Sequence, residues 1–174
     1  MLKPNRKRIV VDADIVSVNQ CSKDCRKFMN DILEICHHVV LSKPISTEWK
    51  NHQVKYYIGW RSTMAARKKQ CFIQSEQYPN IKTQIISAIS VKPEKYQISV
   101  LKDFHLIDAA LATDKIIISL DNKARDAYSK LSAQVKELKQ ITWLNPDTVS
   151  INEITDWLDK GAKPKKEWKL TSFE

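Results

Sequence analysis

The sequence predicts an α/β protein of three layers, α/β/α, with a central, mostly parallel sheet. Three observations carry that expectation. "RIVVDAD" (8–14) and "KIIISLD" (115–121) begin with runs that are apolar at successive positions, as in strands covered on both faces. Helical patterns alternate with these runs, which is the order of βαβ units. The 174 residues contain two glycines, Gly59 and Gly161, which removes phosphate loops, dinucleotide-binding loops and nucleophile elbows, each of which needs several glycines at fixed offsets.

The elements follow in order. Ile9 to Ala13 reads as the first strand. Cys21, Cys25, Phe28, Met29, Ile32, Leu33 and Cys36 recur at helical spacing and place a helix from about Gln20 to His37. Cysteines within such a stripe read as small core residues rather than as disulfide partners or a zinc site with His37 or His38. "HVVL" is a short strand, after which Ser46 caps a long helical stretch running to Lys69, with Gly59 as its point of interruption. Residues 71–102 suggest one or two helices with turns near Tyr78-Pro79-Asn80 and Lys92-Pro93. Then come a helix in "DFHLIDAALAT", the strand "KIIISLD", a helix in "NKARDAYSKLSAQVKEL" and the strand "ITWLN", stopped by Pro146. Ser150 and Glu153 form a capping box for a last helix with an apolar face of Ile151, Ile154, Trp157 and Leu158, and Gly161 ends it. Residues 1–160 thus form one unit and 161–174 a basic tail, exposed from Ala162. Trp49, Trp60, Trp143 and Trp157 fit apolar faces, whereas Trp168 sits among lysines, where a base could stack on it.

Composition narrows the function. Hydrophobic residues make up 43% and charged residues 28%, a globular mixture without a disorder signature. Apolar runs are far too short to span a bilayer, and "MLKPNRKR" is not followed by a secretory apolar stretch, so a cytoplasmic protein with no membrane partner is expected. The formal net charge of +9 suits a polyanion. "RSTMAARKK" offers Arg61, Arg67, Lys68 and Lys69 as candidate nucleic-acid contacts.

Parallel strands leave a sheet through one edge, and ligands bind beyond their carboxyl ends. Asp12 and Asp121 each close a strand and so emerge together. Glu48 follows "VVL" by a turn containing Pro44 and is expected in the first turn of the next helix. Asp103 opens "DFHLIDAALAT". Asp108, five residues later, is rotated by about 500° and points about 140° away, so one of the two faces the site. Acids gathered this way repel one another, and some are protonated unless a divalent cation holds them ionised. An oxygen-only donor set suits Mg2+ or Mn2+, whereas zinc would ask for His or Cys. His52 and His105 lie near Glu48 and Asp103 but read more simply as packed or surface residues. A carboxylate-held metal beside a basic surface is the equipment of phosphodiester hydrolysis.

The order "VVDAD", "ISTEW", "KDFHLIDAALATDKIIISLDNKAR" resembles the PIN domain, a metal-dependent nuclease fold, over roughly Ile9 to Trp143. The resemblance implies an acidic quartet at Asp12, Glu48, Asp103 and Asp121, with Asp12, Asp103 and Asp121 on the metal. It also selects Asp103 over Asp108 and puts Ser119 in the place of a hydroxyl that usually sits two residues before the last acid. Asp14 stands where the family more often has Asn and joins Ser119 as an auxiliary residue. The activity implied by the resemblance is that of an Mg2+- or Mn2+-dependent endoribonuclease acting on single-stranded or structured RNA. Some members are toxins, paired with a small antitoxin that inserts a basic side chain among the acids. Two other readings compete. A haloacid-dehalogenase-like phosphatase would use Asp12 as nucleophile, Asp14 as acid/base and Asp121 to Asp126 as its acidic motif, leaving Glu48 and Asp103 unexplained. A non-catalytic RNA-binding scaffold would keep the fold without turnover.

Overall fold

A computed structural model describes residues 6–17 and 23–171. Among them five strands form one sheet in the order β3-β2-β1-β4-β5. These are β1 (Arg8–Val11), β2 (His38–Leu41), β3 (Gln70–Phe72), β4 (Ile116–Ile118) and β5 (Thr142–Leu144). Every pairing is parallel, with Val10 opposite both Val40 and Ile117. The sheet is therefore wholly rather than mostly parallel. The unbroken apolar runs have the expected cause: Ile9, Val10, Val11 and Ile116 to Ile118 are buried, covered on both faces.

The helices supply the outer layers. They are α1 (Lys23–Glu34), α2 (Lys43–His52), α3 (Lys55–Ala66), α4 (Pro79–Ile89), α5 (Glu94–Lys102), α6 (Phe104–Leu111), α7 (Asn122–Leu131) and α8 (Ile151–Asp159). α1 packs on α8, while α5 packs on α4, α6 and α7. The cysteine stripe is core at Cys25, Phe28, Met29 and Ile32, while Leu33 and Cys36 at its far end are only partly buried. Its first member, Cys21, and the expected helix start at Gln20 lie outside the described residues. His37 is no zinc ligand: Nδ1 accepts from Lys7 N at 3.1 Å and Nε2 faces Leu158 O at 2.9 Å, so both ring nitrogens are used.

Several boundaries differ from expectation. Ser42 rather than Ser46 caps α2, its hydroxyl accepting from Ile45 N. The long helix breaks at Gln53–Val54, not at Gly59, which sits inside α3. Glu48 consequently lies in the second turn of α2. β3 is an additional strand, without a clear sequence pattern because "QCF" is short and only partly buried. Ser150 precedes α8 without a side-chain cap, and Glu153 instead reaches Lys165 Nζ at 2.8 Å.

The largest correction concerns the tail, which is anchored to the body at several points although Lys163, Pro164, Lys166 and Glu167 are exposed. Ala162, Trp168 and Leu170 are buried, Leu170 N donates to Ile141 O, and Lys169 bridges Thr142 in antiparallel sense. Trp168 meets Trp157 edge-on at 5.2 Å and carries Lys165 Nζ above its ring. It anchors the segment and offers no open face to a base.

Candidate active site: a carboxylate cleft at the strand-order reversal

Strand order reverses at β1: β2 and β3 lie to one side, β4 and β5 to the other. The crevice beyond the carboxyl ends of β1 and β4 is where such sheets bind ligands. There a cavity of about 640 Å3 opens, lined by Asp12, Asp14, Glu48, Asp103 and Asp121. Each acid arrives from a different element. Asp12 follows β1 directly, tied by its N–H to Ile118 O at 2.9 Å. Asp14 sits in the 3-10 turn Ala13–Val16, Glu48 on α2, Asp103 between α5 and α6, and Asp121 at the N-cap of α7, where its Oδ1 accepts from Ala124 N.

Ser119 is the hub. Its Oγ lies 2.8 Å from Asp12 Oδ2 and 3.1 Å from Asp14 Oδ2, and it accepts from Asp121 N at 3.0 Å. One hydroxyl proton serves two carboxyls best when one of them is itself protonated. Burial and the neighbouring Asp12 charge push Asp14 up to about 8. Its Oδ2 also accepts from Leu120 N, while Oδ1 is buried without a partner. A neutral Asp14 at this position has the shape of the Asn expected from the resemblance.

Burial likewise raises Asp12, opposed by the Ser119 hydroxyl. Asp103 is pushed up to about 6 by desolvation, with the Asp12 and Asp121 charges adding to it and Lys102, whose Nζ is 3.7 Å away, opposing it. Glu48 moves the other way, held down by His105, whose Nε2 is 3.0 Å from Oε2. His105 Nδ1 faces Lys102 O at 3.0 Å, so a proton on both ring nitrogens serves both neighbours, and Glu48 raises the ring against the opposing effect of burial.

Two parts of this site are not legible in the sequence pattern. His105 reads there as a packed or surface residue, because its pairing with Glu48 depends on α2 crossing α6. Asn145, buried after β5, clamps the loop carrying Asp121: Nδ2 donates to Leu120 O and Asn122 Oδ1, while Oδ1 accepts from Asp147 N. A polar residue closing a wholly buried strand is the available signal. His52 lines the cavity. Asp108 does not; it is buried, and its Oδ1 accepts from Tyr78 N to fix the start of α4.

The basic corner fits nucleic acid poorly. α3 leads into the amino end of β3, so Arg67, Lys68 and Lys69 stand at the sheet edge opposite the cleft. Lys69 is buried, its ammonium donating to the carbonyls of Ile32, Leu33 and Ile35 at the end of α1. Arg67 donates to Leu33 O and Glu34 Oε1. Both cations complement the carboxyl end of a helix. Lys68 is exposed, and Arg61, half-buried on α3, offers its carbonyl to Gln70.

The carboxylates of the cleft are donors suited to a hard divalent cation, one buried carboxyl oxygen among them lacking a partner, while His52, Lys102 and Lys123 share the wall. Convergence is incomplete: among the described residues no three His, Cys, Asp or Glu side chains enclose an ion-sized site. A cation there would rest on few carboxylates and keep several waters, as Mg2+ commonly does.

The chain is thus an α/β protein with an acid-lined cleft at the reversal of its strand order. No protein-family model matches the sequence, and no curated protein matches it. Among the described residues no helix is long and apolar enough to cross a membrane.

Proposed function

We propose that this chain is a PIN-type endoribonuclease that hydrolyses RNA phosphodiester bonds with Mg2+ or Mn2+. The observation that carries the reading is the meeting of Asp12, Glu48, Asp103 and Asp121, from four separated segments, around one cavity. Asp12, Asp103 and Asp121 are the candidate ligands, with Ser119 fixing the first; because no three carboxylates among the described residues enclose an ion-sized site, water would bridge the ion to at least one of them. When bound, the ion supplies charge neutralisation and acidifies water. Water would attack phosphorus as the bond to the leaving ribose oxygen breaks, its proton passing to solvent or to a cleft carboxylate that the ion leaves free. His105 holds Glu48 in place. RNA is the proposed partner, a small antitoxin with a basic side chain fits the same acids, and a cytoplasmic location suits both.

The phosphatase alternative needs Asp14 free to exchange protons with a leaving group. It also gives no role to Glu48 and Asp103, which line the same cavity, and this speaks against it. The test is cleavage of defined RNA and DNA strands with and without Mn2+, beside Asp12→Asn and Asp121→Asn. The expected result is metal-dependent RNA cleavage by the native chain and none by either variant. Metal-dependent cleavage persisting in either purified variant overturns the assignment. RNA binding without turnover by the native chain favours the non-catalytic scaffold.

A further inference from the structure

The cleft is acidic, and the basic corner around Lys69 stands at the other edge of the sheet, so the surface that would hold a polyanion beside the cleft lies elsewhere. α7 leads to it. Asn122 lines the acidic cavity, and Arg125, one turn along the same helix and about 4.5 Å further on its axis, lines a second cavity of about 560 Å3. Lys166, Glu167, Lys169 and Thr171 complete its wall, so three cations face one carboxylate.

The arginine is set for an anion. Nη2 donates to Glu167 O at 3.4 Å, which ties the guanidinium to the anchored tail. Nε is buried and has no hydrogen-bond partner. A buried donor on a charged group is costly to leave unpaired, and a small turn of the guanidinium, which lines the cavity, would bring it to a phosphate oxygen, the acceptor its fork fits best. The lysines stand on fixed backbone, because Trp168 and Leu170 are buried and Lys169 bridges Thr142. None of these residues except Arg125 falls in the stretch that resembles the PIN domain.

We propose that this cavity binds a backbone phosphate of single-stranded RNA flanking the scissile position, an inference that rests on the nuclease reading. The contact is to phosphate, so it raises affinity for every sequence alike and leaves choice of bases to other loops.

The experiment measures binding of a fluorescein-labelled single-stranded RNA in EDTA, across a salt series, for the native chain, Arg125→Ala and the double variant Lys166→Ala/Lys169→Ala. Thermal melts accompany them, and the double variant covers the case in which losing Arg125 loosens the tail. Each variant is expected to bind about tenfold more weakly, with a salt slope lower by about one for each phosphate no longer neutralised. Unchanged affinity and slope in both variants, alongside RNA cleavage by the native chain, overturns the groove and leaves the nuclease reading standing. Weakened binding in the variants with no cleavage by the native chain supports the groove and overturns the nuclease reading. Poly-glutamate displacing the RNA at equal charge concentration assigns the groove to an acidic polypeptide and overturns the RNA proposal.

Discussion

Ser119 Oγ sits 2.8 Å from Asp12 Oδ2, joining the ends of two neighbouring strands through a fully buried hydroxyl. Replacing it with alanine leaves Asp12, Asp14 and the Asp121 amide each short of one partner. Ser119→Ala is expected to cost about 1–3 kcal/mol in urea unfolding. It should also weaken Mn2+ binding, measured by calorimetry, since Asp12 is no longer oriented. An unchanged unfolding midpoint would show that the hub carries no weight.

Asp14 gives a pH signature. Its carboxyl rises to about 8 in the folded chain from 3.8 unfolded, so the folded state holds the proton more tightly. That contribution is complete below pH 3.8 and is lost as pH climbs through 8. Without metal, Asp14→Asn is expected to be more stable than the native chain at about pH 8 and nearly equal to it at about pH 4. Melting temperatures in EDTA at the two pH values check this.

His37 works in the opposite direction. Burial lowers it from 6.5, and its Nδ1 must stay unprotonated to accept from Lys7 N. Below pH 6.5 the unfolded chain binds a proton that the folded chain refuses, so stability falls as pH drops. His37→Gln is expected to flatten the dependence of the urea midpoint between about pH 8 and about pH 5.

Lys69 separates structure from binding. Lys69→Met removes the donors that satisfy three carbonyls at the end of α1 and is expected to cost about 2 kcal/mol. RNA affinity should stay at the native value, measured by the same anisotropy titration as the groove variants.

Trp168→Ala tests the anchored tail. Loss of a buried indole costs about 3 kcal/mol and frees Lys166 and Lys169 from their fixed positions. Limited proteolysis should then cut between 161 and 171, where the native chain resists.

How far the sequence can be read depends on whether the signal is local. β1 and β4 are legible because burial on both faces writes itself into every residue, whereas for 71–102 Pro79 and Pro93 reveal only the turns and leave open whether one helix or two follow; the structure has helices at 79–89 and 94–102. The break at Gln53–Val54 is not, since neither Gly nor Pro marks it. β3 escapes because an edge strand of two half-buried residues and an exposed Phe72 has almost no pattern. In the cleft the acids stand out individually, but the Glu48–His105 pair and the Asn145 clamp exist only once α2 meets α6 and β5 lies beside β4. The tail misleads because charge dominates its composition, while its attachment rests on Trp168, Leu170 and one backbone bridge.

The pairing of β1 with β4 joins residues more than a hundred positions apart, with two strands and six α-helices among the described residues threaded between them. Such long-range closure makes for slow folding compared with a helical bundle of similar size. No fragment ending before β4 can own the acidic pocket, because the serine that organises it has not yet come alongside. Whatever the pocket binds is therefore denied to every incomplete intermediate and finds its site only with the finished sheet.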